Sequence, residues 1–307
     1  MVTYTNKHNL PGPLYKALSE DNYSRGKADI SVTSLLGPPK VEILQAVHKE
    51  FITVDVTERL AALFGTAIHE IIARGAEGME GYVSEERLFA EVAGWTISGG
   101  IDLQEPDHKT KTVAIKDWKT TTVYGVQHPK RDWELQLNCY AYLVKQVLGL
   151  TATSLQIGAL IKDWSASKAR FDKNYPQCQI AMIDLPLWPE DQQEAYVLER
   201  VRTHQEAAIY YEMSHQLPEC TPEEMWEQGG GFAIMKRGGK RAHSVHDNRD
   251  DATDVLTMLN ATTPTTAAPI YLIEHRQGRR VRCEEYCSVN KFCLQYAEYK
   301  DDQEIVI

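Results

Sequence analysis

Apolar residues recur at three-and-four spacing through "VTERLAALFGTAIHEIIARG", at Leu60, Leu63, Phe64, Ala67, Ile68, Ile71 and Ile72. That period predicts an amphipathic helix ending near Gly75. The pattern then switches to alternation. Residues 83–92, 95–103 and 112–119 read as three strands of a meander, with turn signals at Gly94 and at Pro106-Asp107. A second amphipathic helix covers 131–148, with Trp133, Leu137, Tyr140, Val144 and Val147 along one side. "SLQIGALI" and "CQIAMIDL" predict two more strands, and Trp188–Met213 a long charged helix with Pro189 at a tolerated early position. After Leu217 the texture breaks into a Gly-rich stretch, a basic turn, a helix at 248–260, a Thr/Pro/Ala loop and a last strand "IYLIEH". Upstream, residues 1–30 are polar and punctuated by Pro11, Pro13 and Gly26, which predicts an irregular arm. "SVTSLL" predicts a short element stopped at Gly37, Pro38 and Pro39. The expected organisation is an arm (1–30), a core (31–217) and a C-terminal extension (218–307). No repeat is evident.

Composition narrows the partners. The chain has 307 residues and a formal net charge of −10, so it is no indiscriminate polyanion binder. Any nucleic-acid surface must be a local basic groove on an acidic body. No apolar core follows basic residues in 1–25, and no run approaches the ~18 residues of a membrane span, so the expectation is a soluble intracellular protein with no membrane partner. Six cysteines are too few for a disulfide scaffold.

Four stretches carry candidate chemistry: "GTAIHE", "ISGGID", "AIKDWKT" and "QLNCY". Strand residues two apart point to the same side, so Asp117 and Lys119 share a face at the end of an apolar strand. Alone they read as an ion pair worth about 1 kcal/mol or less. Asp102 follows Gly99-Gly100, where the backbone can be approached closely, and could equally be a turn residue. Two carboxylates at the ends of adjacent strands make an oxygen site suited to Mg²⁺ or Mn²⁺. His69 could add an imidazole, although a lone helical histidine is more often structural. Lys119 would direct a fixed positive charge at an attacking water or a phosphoryl oxygen, as metal-assisted phosphodiester hydrolysis requires. Gln136 and Tyr140, four apart, share a helix face. Other signatures fail: Ala73 stands where a zincin needs its second histidine, "GGK" at 238–240 lacks P-loop spacing, and no G-x-S-x-G occurs.

In order and spacing, His69, Asp102, Asp117-x-Lys119 and Gln136-x3-Tyr140 resemble the RecB-type branch of the PD-(D/E)XK nucleases, in particular phage-encoded exonucleases and CRISPR-associated nucleases of that branch. The resemblance is good from about Ser31 to Ile161. It implies an α/β, restriction-endonuclease-like fold, with a mixed central sheet flanked by helices. It also implies that His69, Asp102, Asp117 and the Trp118 carbonyl bind metal, that Lys119 assists the nucleophile, and that Gln136 and Tyr140 position DNA or the lysine. Glu86 is a weaker candidate. The implied function is a metal-dependent DNA exonuclease of recombination, repair or phage replication, in the cytoplasm of a bacterium or infected host, with a recombination or replication protein as a partner. A structure-selective endonuclease, or a DNA-binding nuclease subunit of a larger complex, is the alternative.

"RCEEYCSVNKFCLQY" crowds Cys283, Cys287 and Cys293 into eleven residues, and Cys220 opens the extension. Crowded cysteines in a reducing cell suggest metal ligands rather than disulfides. Related nucleases of the branch carry a four-cysteine iron–sulfur cluster, which implies a 4Fe-4S centre here, with zinc as runner-up. The sequence departs from the commonest version, for no cysteine precedes His69, and Cys220 is the substitute fourth ligand. Cys139 and Cys178 read as ordinary thiols. "KRGGKR" (Lys236, Arg237) and "HRQGRRVR" (Arg279, Arg280, Arg282) are the candidate DNA-binding cations.

Overall fold

The computed structural model of the protein describes residues 2–20, 24–261 and 270–304, the last three without their side chains. The Thr/Pro/Ala loop at 262–269 lies outside the described residues. The chain divides into two compact units, Met1–Pro218 and Glu219–Ile307.

The first unit opens with β1 (Thr3–Thr5), α1 (Gly12–Ser19), β2 (Ile30–Ser31), α2 (Val32–Leu36), α3 (Pro39–Val47) and β3 (Thr53–Asp55). It continues through α4 (Leu60–Ala76), β4 (Val83–Val92), β5 (Trp95–Asp107), β6 (Thr112–Thr121), α5 (Val123–Gln127) and α6 (Arg131–Leu148). It closes with β7 (Thr151–Ile161), α7 (Ala166–Phe171), β8 (Ile180–Leu185) and α8 (Glu190–Ser214). The N-terminal segment differs from the irregular arm that its prolines suggest. β1 pairs in parallel with β3, and the Asp55 carboxylate accepts from Thr5 Oγ1, the Lys7 amide and Thr57. Those bonds hold its carboxyl well below the usual carboxylate range, the Lys7 amide most of all. The short element α2 stops at Gly37 as expected, and Pro39 then starts α3, since its missing N–H is no loss at the first turn.

β4 pairs antiparallel with β5 along nearly its whole length, β5 antiparallel with β6, β6 parallel with β7, and β7 antiparallel with β8. The sheet is therefore mixed. Helix α6 is the crossover between the parallel strands β6 and β7, and it packs on the sheet with Leu137, Tyr140, Leu143 and Val144 buried against Ile97, Ile101, Ile115, Leu155 and Ile157. α8 backs α6, and Val197 and Val201 close the core. Asn138 ties α6 to the segment before α8: its amide donates to the Glu134 and Pro186 carbonyls, and its oxygen accepts from the Trp188 amide.

One edge of β5 is divided. Ile97 pairs with Ala90 of β4 and with Ile30 of β2, while Gln104 pairs with Val83 of β4 and with Ile115 of β6. A strand has two edges, so β2 and β6 share the edge that β4 does not occupy. β2 holds Ile97 and Ser98, and β6 begins only at Leu103. Between them β5 and β6 diverge, which opens a fork in the sheet beside Gly99–Asp102.

The second unit carries β9 (Glu227–Gln228), β10 (Gly231–Lys236), β11 (Ala242–His246), α9 (Arg249–Ala261), β12 (Tyr271–Arg276), β13 (Arg279–Arg280) and α10 (Leu294–Glu304). β10 lies between β11 and β12, with α9 packed on the three-stranded sheet. The glycine-rich segment thus leads into a central strand, whose Ala233 and Ile234 are fully buried.

Candidate active site

Asp102 and Asp117 stand on the two arms of the fork. Pairing ends at Leu103↔Lys116, and the next opposed residues are these two carboxylates. The strands part here because the Asp102 side chain takes the place of a ladder carbonyl: its Oδ2 accepts from the Trp118 amide at 2.7 Å. A strand residue's N–H and C=O point to the same edge. The Trp118 carbonyl therefore also faces the fork. Asp117 is 1% exposed, and no donor reaches its Oδ2 in hydrogen-bond geometry, although Lys119 Nζ lies 2.6 Å away as an ion pair. Burial, partly offset by Lys119, raises the Asp117 carboxyl to about 6. A buried carboxylate short of donors is a cation-seeking group.

α4 brings His69 to the same place. Its Nδ1 is 3.4 Å from Asp102 Oδ1 and 3.4 Å from Glu85 Oε1. Hydrogen bonding to Asp102, then to Glu85, raises the imidazole to about 10. One ligand atom from each of His69, Glu85 and Asp102 falls within 4.8 Å of the others, which fits a single divalent ion. From the opposite side, Gln136 Nε2 donates to Tyr140 Oη at 2.7 Å. The Tyr140 ring can approach because residue 99 is glycine: a Cβ there would lie 2.8 Å from the ring and 2.7 Å from Leu143. His69, Glu85, Asp102, Asp117, Lys119, Gln136 and Tyr140 all line one cavity of about 240 Å³.

Glu85 was not legible from the sequence, where its neighbour Glu86 reads as the weaker candidate. Its φ of +52° departs from the strand, and it sits opposite Asp102, between the pairs Ser84↔Leu103 and Glu86↔Ile101. Glu86 instead accepts from Gln104 Nε2 at 2.7 Å. The one available signal was register, since Glu85 and Asp102 are equidistant from the Gly94 turn.

A family profile described as the PD-(D/E)XK nuclease superfamily matches residues 44–294, most of the chain. The chain belongs to that superfamily. No curated protein matches the sequence significantly. Two solved structures are distantly similar. SSO0001 is 15% identical, covering 63% of this chain and 83% of that one at a TM-score of 0.42. A candidate exonuclease from Eubacterium rectale is 16% identical, covering 62% and 72% at a TM-score of 0.29. Neither likeness carries a functional argument. PD-(D/E)XK nucleases typically work with divalent metals, and the oxygen-rich donor set at the fork suits such an ion. No helix among the described residues is long and apolar enough to cross a membrane.

The second unit of this PD-(D/E)XK chain holds the other candidates. Cys283, Cys287 and Cys293 lie close enough to act on one another: burial first, then Cys287 and Cys293, pushes the Cys283 thiol up to about 11. Gln295, two residues after Cys293, clasps Cys220 by both its amide and its carbonyl, each at 2.9 Å. Among the described residues, however, the cysteines form no set of three ligand atoms as close as that at the fork. Arg279 pairs with Glu284 (2.8 Å) and Glu285. Arg280 donates to the Gln295 carbonyl and covers the Tyr299 ring, while Arg282 donates to the Glu224 carbonyl and lies over Trp226. Lys236 and Arg237 stand exposed at the β10 turn.

Proposed function

We propose that the protein is a metal-dependent deoxyribonuclease of the RecB-type branch that degrades DNA from strand ends, in recombination, repair or phage replication. The supporting observation is the convergence of His69, Asp102, Asp117, Lys119, Gln136 and Tyr140, from four separate elements, on one cavity. At about 240 Å³ that cavity is below the ~300–1,000 Å³ of ordinary ligand clefts, and the preference for strand ends is carried over from the resemblance to phage-encoded exonucleases.

In this reading Glu85, Asp102, Asp117 and the Trp118 carbonyl would hold Mg²⁺ or Mn²⁺, joined by His69 once the ion displaces the proton that its Nδ1 shares with Asp102 and Glu85. The bound ion supplies a lowered water pKa and neutralises phosphate charge. Asp117 fixes the Lys119 ammonium at the cavity wall, where it faces charge developing on the phosphoryl oxygens. Tyr140, whose hydroxyl accepts from Gln136 Nε2, lines the same cavity and would position the DNA or Lys119. The division of labour is a nuclease core (31–217) and an appendage (218–307) stapled through Cys220, Cys283, Cys287 and Cys293 by a 4Fe-4S cluster, or by zinc. Within the appendage, Lys236, Arg237 and Arg279 are the cations placed to meet phosphates, and Arg280 and Arg282 brace the cysteine turn.

A nuclease subunit within a larger complex is the second reading, favoured by the exposed stripe Leu60, Phe64 and Ile71 on α4 (47%, 52% and 58%). Incubating purified protein with linear and circular DNA, with Mn²⁺, Mg²⁺ or chelator, separates the cases. Loss of linear DNA alone supports the exonuclease, and nicking of circles the structure-selective endonuclease. No cleavage until a partner is added supports the subunit.

A further inference from the structure

A concentration of exposed positive charge in the first unit lies at the carboxyl ends of β6 and β7. β6 runs from Lys119 to the cap of α5 at Thr122 in three residues, about 10 Å at ~3.3 Å each. Beyond that point residues 120–131 and 162–174 form one lobe. The Lys162 amide donates to the Thr121 carbonyl, the Val123 amide to Asp163, and Gln127 to the Asn174 carbonyl. The lobe carries six cations (Lys130, Arg131, Lys162, Lys168, Arg170 and Lys173) and two carboxylates, in a chain of net charge −10. All six cations are exposed. Both carboxylates are engaged by backbone amides, Asp163 by Val123 and Asp172 by Asn174. Among the described residues Arg131, Lys162, Lys168, Arg170 and Lys173 form no ion pair. Elsewhere in the chain, by contrast, Lys116, Lys119, Lys145, Arg276 and Arg279 each meet a carboxylate.

Two aromatics stand out among these cations. Tyr124 is 68% exposed and stacked on His128 with ring centroids 4.4 Å apart, and Phe171 is 90% exposed. Exposed rings interleaved with exposed cations, of which Lys168 also lies over the Tyr175 ring, suit a strand whose bases are not already stacked in a duplex. Ligands of α/β sheets also gather beyond the carboxyl ends of parallel strands, where this lobe sits.

We infer that the lobe formed by residues 120–131 and 162–174 is a single-stranded DNA platform that holds the unpaired strand as it leaves the fork. The inference rests on the nuclease reading for what the strand is delivered to, and it places the main phosphate contacts in the first unit rather than on the C-terminal basic segments. The strand's phosphates lie along Arg131, Lys168, Arg170 and Lys173, and its bases stack on Tyr124 and Phe171.

The test uses the full-length protein with fluorescent oligo(dT), read by anisotropy across a salt series without added divalent cation, and then by cleavage with Mn²⁺ as DNA is raised toward saturation. A quadruple variant, Arg131→Gln/Lys168→Gln/Arg170→Gln/Lys173→Gln, should lower the log–log salt slope by about 3, at ~0.7 per phosphate. Tyr124→Ala/Phe171→Ala should weaken binding roughly tenfold per ring and leave the slope unchanged. Both variants should keep wild-type melting, and their loss of cleavage should shrink as DNA approaches saturation, as a pure KM effect does. Wild-type affinity and slope in the quadruple variant would overturn the platform. Equal losses for duplex and single-stranded probes in the aromatic variant would overturn its assignment to unpaired DNA. Wild-type protein that binds oligo(dT) through these residues yet cleaves no DNA by itself would uphold the platform and refute the self-sufficient exonuclease instead.

Discussion

The fork at Asp102–Asp117 and the turn at Cys283–Cys293 are both candidate metal sites, yet they are held together in opposite ways. At the fork the scaffold positions the ligands without help. Asp102 is anchored by the Trp118 amide, Asp117 by burial and Lys119, and His69 by two carboxylates. In the cysteine turn the thiols are held through the chain around them, by Gln295 on Cys220 and by Asn290 Nδ2 on the Cys283 carbonyl, and burial first, then the neighbouring thiols, pushes the Cys283 pKa up. A site framed by strand ends keeps its shape for catalysis, whereas a site framed by a turn depends on its metal for shape.

The largest expected effect tests the first half of that contrast. Asp117→Asn should reduce DNA cleavage by at least about a hundredfold, as losing a transition-state charge partner does. Because burial disfavours the ionised carboxylate, the same substitution should leave the metal-free protein's melting temperature unchanged or higher. A large drop in melting would mean that Asp117 is structural. Next comes the turn: Cys287→Ser should loosen the second unit by several kcal/mol, and a chelator should do the same to wild type but not to the variant. Limited proteolysis reads both. Purified protein with neither iron nor zinc by metal analysis and no visible absorption would remove the metal from the turn. Gly99→Ala should cost about 1–3 kcal/mol by driving a methyl into Tyr140 and Leu143, and should also lower activity. Chemical denaturation and a cleavage assay measure the two losses. The smallest effect concerns His204, whose Nε2 lies 3.2 Å from the Leu35 carbonyl in the α8 packing layer. Desolvation, then Arg200, lowers its pKa below 6.5. The folded state resists a proton that the unfolded chain accepts, so stability is full above pH 6.5 and declines as pH falls below it. His204→Gln should flatten the melting profile between pH 6.5 and 5.

Period and register made the sheet and the helices α4, α6 and α8 legible in the sequence. Alternation put Asp117 and Lys119 on one strand face and three-and-four spacing put Gln136 and Tyr140 on one helix face, while their grouping with His69 and Asp102 came from the resemblance to the PD-(D/E)XK nucleases. What escaped was non-periodic. Glu85 enters the site through a left-handed φ that no pattern announces. β1 is held by the Asp55 carboxylate and its pairing with β3, and β10 by short pairings on both edges, rather than by long apolar stripes. The roles of Arg279, Arg280 and Arg282 depend on partners such as Glu227 and Tyr299, far off in sequence. The basic lobe at 120–131 and 162–174 is split by thirty residues of chain, so neither half stands out as a charge run.

Calorimetric titration with Mn²⁺ tests the central claim, that the fork is a metal centre, without reference to any substrate. The account predicts that wild type binds the ion at the fork, that Asp102→Asn and Glu85→Gln weaken that binding by at least about tenfold, and that Lys119→Met leaves it intact or strengthens it. Wild-type Mn²⁺ affinity in Asp102→Asn would contradict the account.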